Sequence, residues 1–341
     1  MKRIGFACKY MHHKQDLPKG ELASIQQAFN CVSTTIKYLD SLTRKEAFRF
    51  LAQIASYNVE AFHKLVFYAG NLPRSQRMVR LSSNCLPAYT HPKYSEFYQM
   101  PEMRSFLSTG LFKVGSLARS LDVRLSMHPG QFVVLASDKP DVVDRSIEEF
   151  EYHVDIARYM GYGQKFQDFK INVHISGKQG PDGIKRAFKR LSDEARCMLT
   201  IENDEYSWGI EHSLELAGIC PLVLDVHHHW CYSGQYILPD SDIHKRVVES
   251  WRGVRPVIHF SQSREDVLIG HSKDRAPNFG HVLSSGIKKA RLRAHSDTYW
   301  NTALNDYALQ FLETSDIMCE VKTKNLASMA LHARAVELGL V

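Results

Sequence analysis

The sequence predicts an α/β fold, a (β/α)8 TIM barrel carried by a single domain over residues 1–341. Three observations point there. Eight short runs are apolar along nearly their whole length, as strands buried on both faces are. Each run is separated from the next by at least one stretch with helical periodicity, so β and α alternate along the chain. A length of 341 residues also holds a barrel of ~250 residues with room for insertions.

KRIGFAC (2–8) reads as strand one, residues 11–41 are polar and irregular, and the stretch 43–70 has its apolar residues at helical spacing. RMVRLSS (77–83) is strand two and opens into the proline-containing CLPAYTHPKY. Helical signals fill 102–120, and VRLSMHPG (123–130) is strand three. An amphipathic pattern over 138–161 precedes FKINVHISG (169–177), strand four, whose β-branched residues suit a buried pleat. IKRAFKRLSDEA is helical, CMLTIEND (197–204) is strand five, and HSLELAGI is helical. PLVLDVHHHW (221–230) holds strand six, with a histidine triplet on the loop beyond it. A helix around 240–251 leads to RPVIHFSQS (255–263), strand seven. Residues 264–290 are polar and broken by Gly and Pro, which marks a loop insertion. TYWNTALNDYALQFLET is helical, and DIMCEVKTKN (316–325) is strand eight.

Composition narrows the function classes. Hydrophobic residues make up 44% and charged residues 23% of the chain, enough apolar material for a sizeable core. No run approaches the ~18 apolar residues of a membrane span, and MKRIGFACKYMHH is not followed by a signal-peptide core, so a cytoplasmic protein without membrane attachment is expected. Seven cysteines without a CxxC pair argue against zinc fingers and disulfide scaffolds. The net charge of +6 tilts the chain mildly toward an anionic partner, and the basic clusters GIKRAFKR (183–190) and GIKKARLRAH (286–295) strengthen that tilt.

The strand ends carry the chemistry. Strand three closes at His128, four at His174, five at Glu202, six at Asp225, seven at His259 and eight at Glu320, while strand two opens a loop with His91. In a barrel these ends share one mouth, where active sites sit. A lone His at a strand end is usually a hydrogen-bonded structural residue. Six convergent His, Asp and Glu side chains would instead be costly to bury without a cation. The mixed donors suit Mn²⁺ or Zn²⁺ better than Mg²⁺ alone, and their number implies two or three ions.

The motifs GFAC, RLSMHPGQF, VHISG, TIENDE, LDVHHH, IHFSQS, RAHSD and CEVKTKN, in that order from residue 4 to about 325, closely resemble the UV damage endonuclease family. The resemblance implies a TIM-barrel, metal-dependent DNA repair enzyme, related to the endonuclease IV type. Such an enzyme nicks double-stranded DNA immediately 5′ to cyclobutane dimers and 6-4 products, leaving a 3′-hydroxyl and a 5′-phosphate, and needs no obligatory protein partner. In a prokaryote it would be nucleoid-associated. By motif, His91, His128, His174 and Glu202 would surround one metal, Mn²⁺ by preference. Glu202 would bridge to a second metal held by Asp225, His259 and Glu320, the residues at the centre of catalysis. His228 and His295 would hold a third, with Asp297 as a further ligand. In this register His228 is the ligand of the triplet, His229 lies behind it or faces DNA, and His227 matters least. Paired ions ~3.5–4 Å apart activate a water and stabilise the leaving oxygen. Gln131 and Phe132 would probe the lesion by filling the gap left in the duplex.

The chain also departs from the compact bacterial members. They carry Tyr where this chain has Phe6 and Phe132, and a Lys near the metals where it has Val257. An abasic-site endonuclease is the nearest alternative. A metal-dependent sugar isomerase or epimerase shares the strand-end cluster but has no need of GQF or the basic stretches. A damage-binding protein would not need the intact ligand set.

Overall fold

A computed structural model describes residues 1–341. Eight strands form one parallel sheet: β1 Ile4–Ala7, β2 Met78–Leu81, β3 Arg124–Met127, β4 Lys170–His174, β5 Leu199–Glu202, β6 Leu222–Val223, β7 Val257–Phe260 and β8 Asp316–Cys319. Their order is β6-β5-β4-β3-β2-β1-β8-β7, each paired in parallel with its neighbours. The ring closes where β6 meets β7, through a single parallel bridge between Asp225 and His259, with the His259 N–H donating to the Leu224 carbonyl at 3.0 Å. All eight predicted strands are present, and the (β/α)8 reading holds.

The helices form where local sequence favours them. Thr43 and Glu46 make a reciprocal capping box at the start of Arg44–Gly70. Pro101 and Pro140 occupy first-turn positions of Pro101–Ser120 and Pro140–Tyr159, where a missing N–H costs nothing. Two readings need correction. Residues 11–41 contain two short helices, Lys19–Gln27 and Ile36–Asp40. The histidine triplet lies within the helix Val226–Ser233, because Asp225 caps it: its Oδ1 accepts from the His228 N–H at 2.7 Å. A last helix, Lys324–Glu337, returns along β1 and β8. The stretch 264–290 carries turns and the short helix Phe279–Ser284. No helix is long and apolar enough to cross a membrane.

Sixty-eight buried residues form the main core. Inside the barrel a second cluster of Ala7, Met78, Val223, Trp251, Val257 and Met318 forms an apolar plug. Below it Asp316 accepts from Arg124 and Arg255, each at 2.7 Å. Above it the interior turns polar, and this is where the strands present their ends.

Candidate metal centre

Register explains the convergence. His174 and Glu202 are paired across β4 and β5, and Asp225 and His259 across the closing seam, so each pair projects to the same side. Glu320 follows β8 directly, and its N–H donates to the Phe260 carbonyl at 2.9 Å. Two compact groups result, and Glu202 belongs to both. His128, His174 and Glu202 bring donor atoms within 4.8 Å of one another, as do Glu202, Asp225, His259 and Glu320. The Glu202 Oε2 lies 3.3 Å from His128 Nε2 and 3.0 Å from His259 Nδ1. His259 Nδ1 is also 3.1 Å from Glu320 Oε1.

Backbone carbonyls set the histidine tautomers. The Nδ1 of His128, His228 and His295 lies 2.8, 3.2 and 3.1 Å from the carbonyls of Pro129, Asn203 and Glu320. Donation from Nδ1–H leaves each Nε2 lone pair free for a cation. His228 Nε2 is 3.8 Å from both Asp225 and Glu205, and its ring centroid is 5.9 Å from that of His295. His228 and His295 thus lie side by side in the same mouth as the two groups. The other triplet members turn away: His227 Nε2 meets the Leu292 carbonyl at 3.1 Å, and His229 Nε2 meets Ser233 at 3.0 Å.

The electrostatics fit a cation. Burial pushes the His174 and His259 imidazoles down to about 4, so both are neutral donors. Burial also pushes the Asp225 carboxyl up, and the carboxylates of Glu202 and Glu320 add to that effect. At His228 burial favours the neutral ring, but Asp225, Glu202, Glu205 and Glu320 together raise it to about 9. Glu202 Oε1, Asp225 Oδ2 and His259 Nδ1 are buried without a hydrogen-bond partner. Orphaned buried polar atoms of this kind are expensive. A divalent ion among them would satisfy all three, so these residues fit the group.

Two predicted ligands stand apart. The His91 ring sits against Tyr94 and beside Lys93, outside both groups. Its loop is tied outward, because Tyr89 donates to Asp155 at 2.8 Å and Thr90 to Glu149 at 2.9 Å. Asp297 instead pairs with Lys322 at 2.7 Å.

The mouth is a cavity of about 320 Å³, lined by His128, His174, His228, His295 and Glu320, with Gln131, Glu205 and Tyr206 at its rim. Gln131 thus faces the cavity, whereas Phe132 is 66% exposed. A Cβ at Gly130 would collide with the Phe132 ring, so glycine lets that ring fold back over the loop.

Comparison with known proteins settles the family. The sequence profile described as UV-endonuclease UvdE matches residues 2–339. The chain belongs to the UvdE family. The UV-damage endonuclease of Schizosaccharomyces pombe is 29% identical, over 97% of this chain and 50% of that protein. The UV DNA damage endonuclease of Bacillus velezensis is 30% identical, over 58% of this chain and 62% of the relative. The chain therefore spans about half the length of the first of these UvdE relatives and just under two thirds of the other. The crystal structure of SacUVDE shares the fold with a TM-score of 0.72 at 23% identity, covering 100% of both chains. Endonuclease IV from Thermus thermophilus shares the barrel with a TM-score of 0.51 at 13% identity, over 83% of this chain and 95% of that one.

Against the UvdE pattern, Val257 belongs to the apolar plug and offers no donor. A lysine is present nonetheless, from another strand: Lys170 on β4 places Nζ 3.0 Å from His259 Nε2, and burial pulls its ammonium down to about 7. Asn172 hydrogen-bonds Glu202 directly, and Asn203 clamps Asp225 through both backbone groups at 3.0 and 2.9 Å. Arg80 pairs with Glu320. Sequence reasoning missed these supporting residues. Strand alternation could have found Lys170 and Asn172, since both share the inward phase of His174.

Proposed function

We propose that this chain is a metal-dependent DNA repair endonuclease. It hydrolyses the phosphodiester immediately 5′ to a UV photoproduct in duplex DNA, leaving a 3′-hydroxyl and a 5′-phosphate. The observation that carries this reading is the buried set Glu202, Asp225, His259 and Glu320, with unpartnered atoms, beneath a mouth lined in part by Gln131. Family membership supports the substrate class.

The mixed donor set favours Mn²⁺ in two or three positions, with Zn²⁺ and Mg²⁺ as alternatives. His128, His174 and Glu202 would hold one ion, Glu202, Asp225, His259 and Glu320 a second, and His228 with His295 a third. When bound, such ions supply an activated water and stabilise charge on the leaving 3′-oxygen. The chain's own part is orientation. Asn172 holds Glu202 between the two groups, Asn203 fixes Asp225, and carbonyl-bound Nδ1 atoms aim the imidazoles. Gln131 and Phe132 would fill the gap left by a lesion, whose extrusion costs less than that of a normal pair.

The test uses end-labelled duplexes carrying a thymine dimer, an abasic site or no lesion, each with Mn²⁺ or with EDTA. A Mn²⁺-dependent cut just 5′ of the dimer is the expected result. Cleavage confined to the abasic site would replace the reading with an abasic endonuclease, and no cleavage at all would end it.

A further inference from the structure

The two basic clusters of the sequence behave differently once folded. In the first, Lys185 pairs with Asp182 and Glu215, Arg190 with Asp144, and Arg186 donates to Gln179. In the second, Lys289 reaches only the Tyr232 carbonyl and the rings of Tyr232 and Phe279. Arg293 has no carboxylate partner and no hydrogen bond, and its Nε is buried unsatisfied. Its guanidinium lies over the Tyr206 ring, 3.6 Å from the centroid.

Both members of this stack are held rigidly beside the mouth. Tyr206 lines the same cavity as His128, His174, His228 and His295, and it is 63% exposed. The turn carrying it is locked because Asp204 Oδ1 accepts from the N–H groups of Tyr206, Ser207 and Trp208 at 2.7–2.9 Å. Arg293 lies two residues before His295. Its segment is pinned where Leu292 O accepts from Ser263 at 2.6 Å and where Ser263 bridges His295. The nearby Glu205 lies toward His228 and does not neutralise the arginine.

We infer that Arg293, held flat by Tyr206, is a phosphate-binding residue for the nucleic-acid strand entering the metal cavity. A half-buried guanidinium with no carboxylate partner and an unsatisfied Nε calls for an anion, and a stacked, planar fork presents its edge to two phosphate oxygens at once. Tyr206 is the positioning residue that keeps the fork in plane. The inference rests on the endonuclease reading, and it adds a contact to the DNA backbone that the metal ligands do not supply.

The experiment measures binding of a fluorescein-labelled duplex with one thymine dimer by anisotropy in EDTA, from ~50 to ~250 mM salt, for full-length wild type, Arg293→Met, Arg293→Lys and Tyr206→Leu. Cleavage in Mn²⁺ is followed in parallel, and thermal melting verifies that each variant folds. Arg293→Met should weaken binding ~tenfold at low salt and lower the slope of log K against log salt by about 0.9, the signature of one lost phosphate contact. It should raise KM more than it lowers kcat. Arg293→Lys should keep the slope yet bind more weakly, since the charge survives without the fork. Tyr206→Leu should fall between wild type and Arg293→Met. Folded Arg293→Met with wild-type affinity and slope overturns this inference alone. Wild-type protein that neither binds nor cuts lesion DNA overturns the endonuclease reading beneath it.

Discussion

Glu202 is the side chain on which both halves of the ligand set depend, and Asn172 is what aims it. Asn172→Ala should leave the donor atoms in place but lower metal affinity ~10–100-fold, as loss of an outer hydrogen bond to a ligand does; calorimetric titration with Mn²⁺ reads this directly. Within the triplet, His228→Asn should reduce bound metal per chain, while His229→Asn should leave it unchanged, as measured by elemental analysis. Protons compete with the cation. Before metal binds, the neighbouring carboxylates, Asp225 foremost, hold the His228 imidazole in its protonated form at neutral pH, so binding must expel that proton. Mn²⁺ affinity should therefore climb as pH rises toward about 9, with proton release visible as a buffer-dependent binding enthalpy. Affinity that falls with pH would contradict this assignment. The convergent donor residues were readable in the sequence because each polar group ends an apolar run. Lys170 and Asn172 alternate with apolar residues in phase with His174, a period-two signal that the reading of this run as simply β-branched passed over. His91 had the right chemistry, but its loop is drawn to the outer helix by contacts that no local pattern announces.

The helix Val226–Ser233 shows how an element can be hidden by its own composition. His, Trp and Tyr are middling helix formers, and eight residues give little periodic signal. The cap at Asp225 and the left-handed Gly234 at its other end define it instead. Gly234 has φ of 77°, and a Cβ there would also press on the Phe279 ring. Gly234→Ala should cost at least ~1 kcal/mol and lower the melting temperature by about 2–4 °C, checked by scanning calorimetry. The same logic accounts for Lys19–Gln27, which buries no residue and so lacks an apolar stripe to detect. Long helices such as Arg44–Gly70, with its buried face and capping box, were plain from spacing alone.

At the scale of the molecule, the barrel was legible because eight buried strands alternate with helices, a pattern with few other solutions. Its seam was not, because β6 is only two residues long and contributes almost no ladder. Two buried histidines on the helices Pro140–Tyr159 and Asp242–Ser250 should govern acid stability. Burial pulls His153 and His244 from 6.5 to about 4, so the unfolded chain binds more protons between those values. Stability should be full above pH 6.5 and fall as pH drops toward 4, by up to ~3 kcal/mol for each ring. His244→Phe should flatten the melting temperature against pH over that window. The seam has a mechanical consequence too. The one bridge that shuts the cylinder joins two residues of the proposed ligand set, Asp225 and His259, so a cation bound there would act as the rivet of the ring. The amide hydrogen of His259, donated to Leu224, should exchange with deuterium slowly in Mn²⁺ and far faster in EDTA, while the amides of β2 and β3 keep the same rate in both.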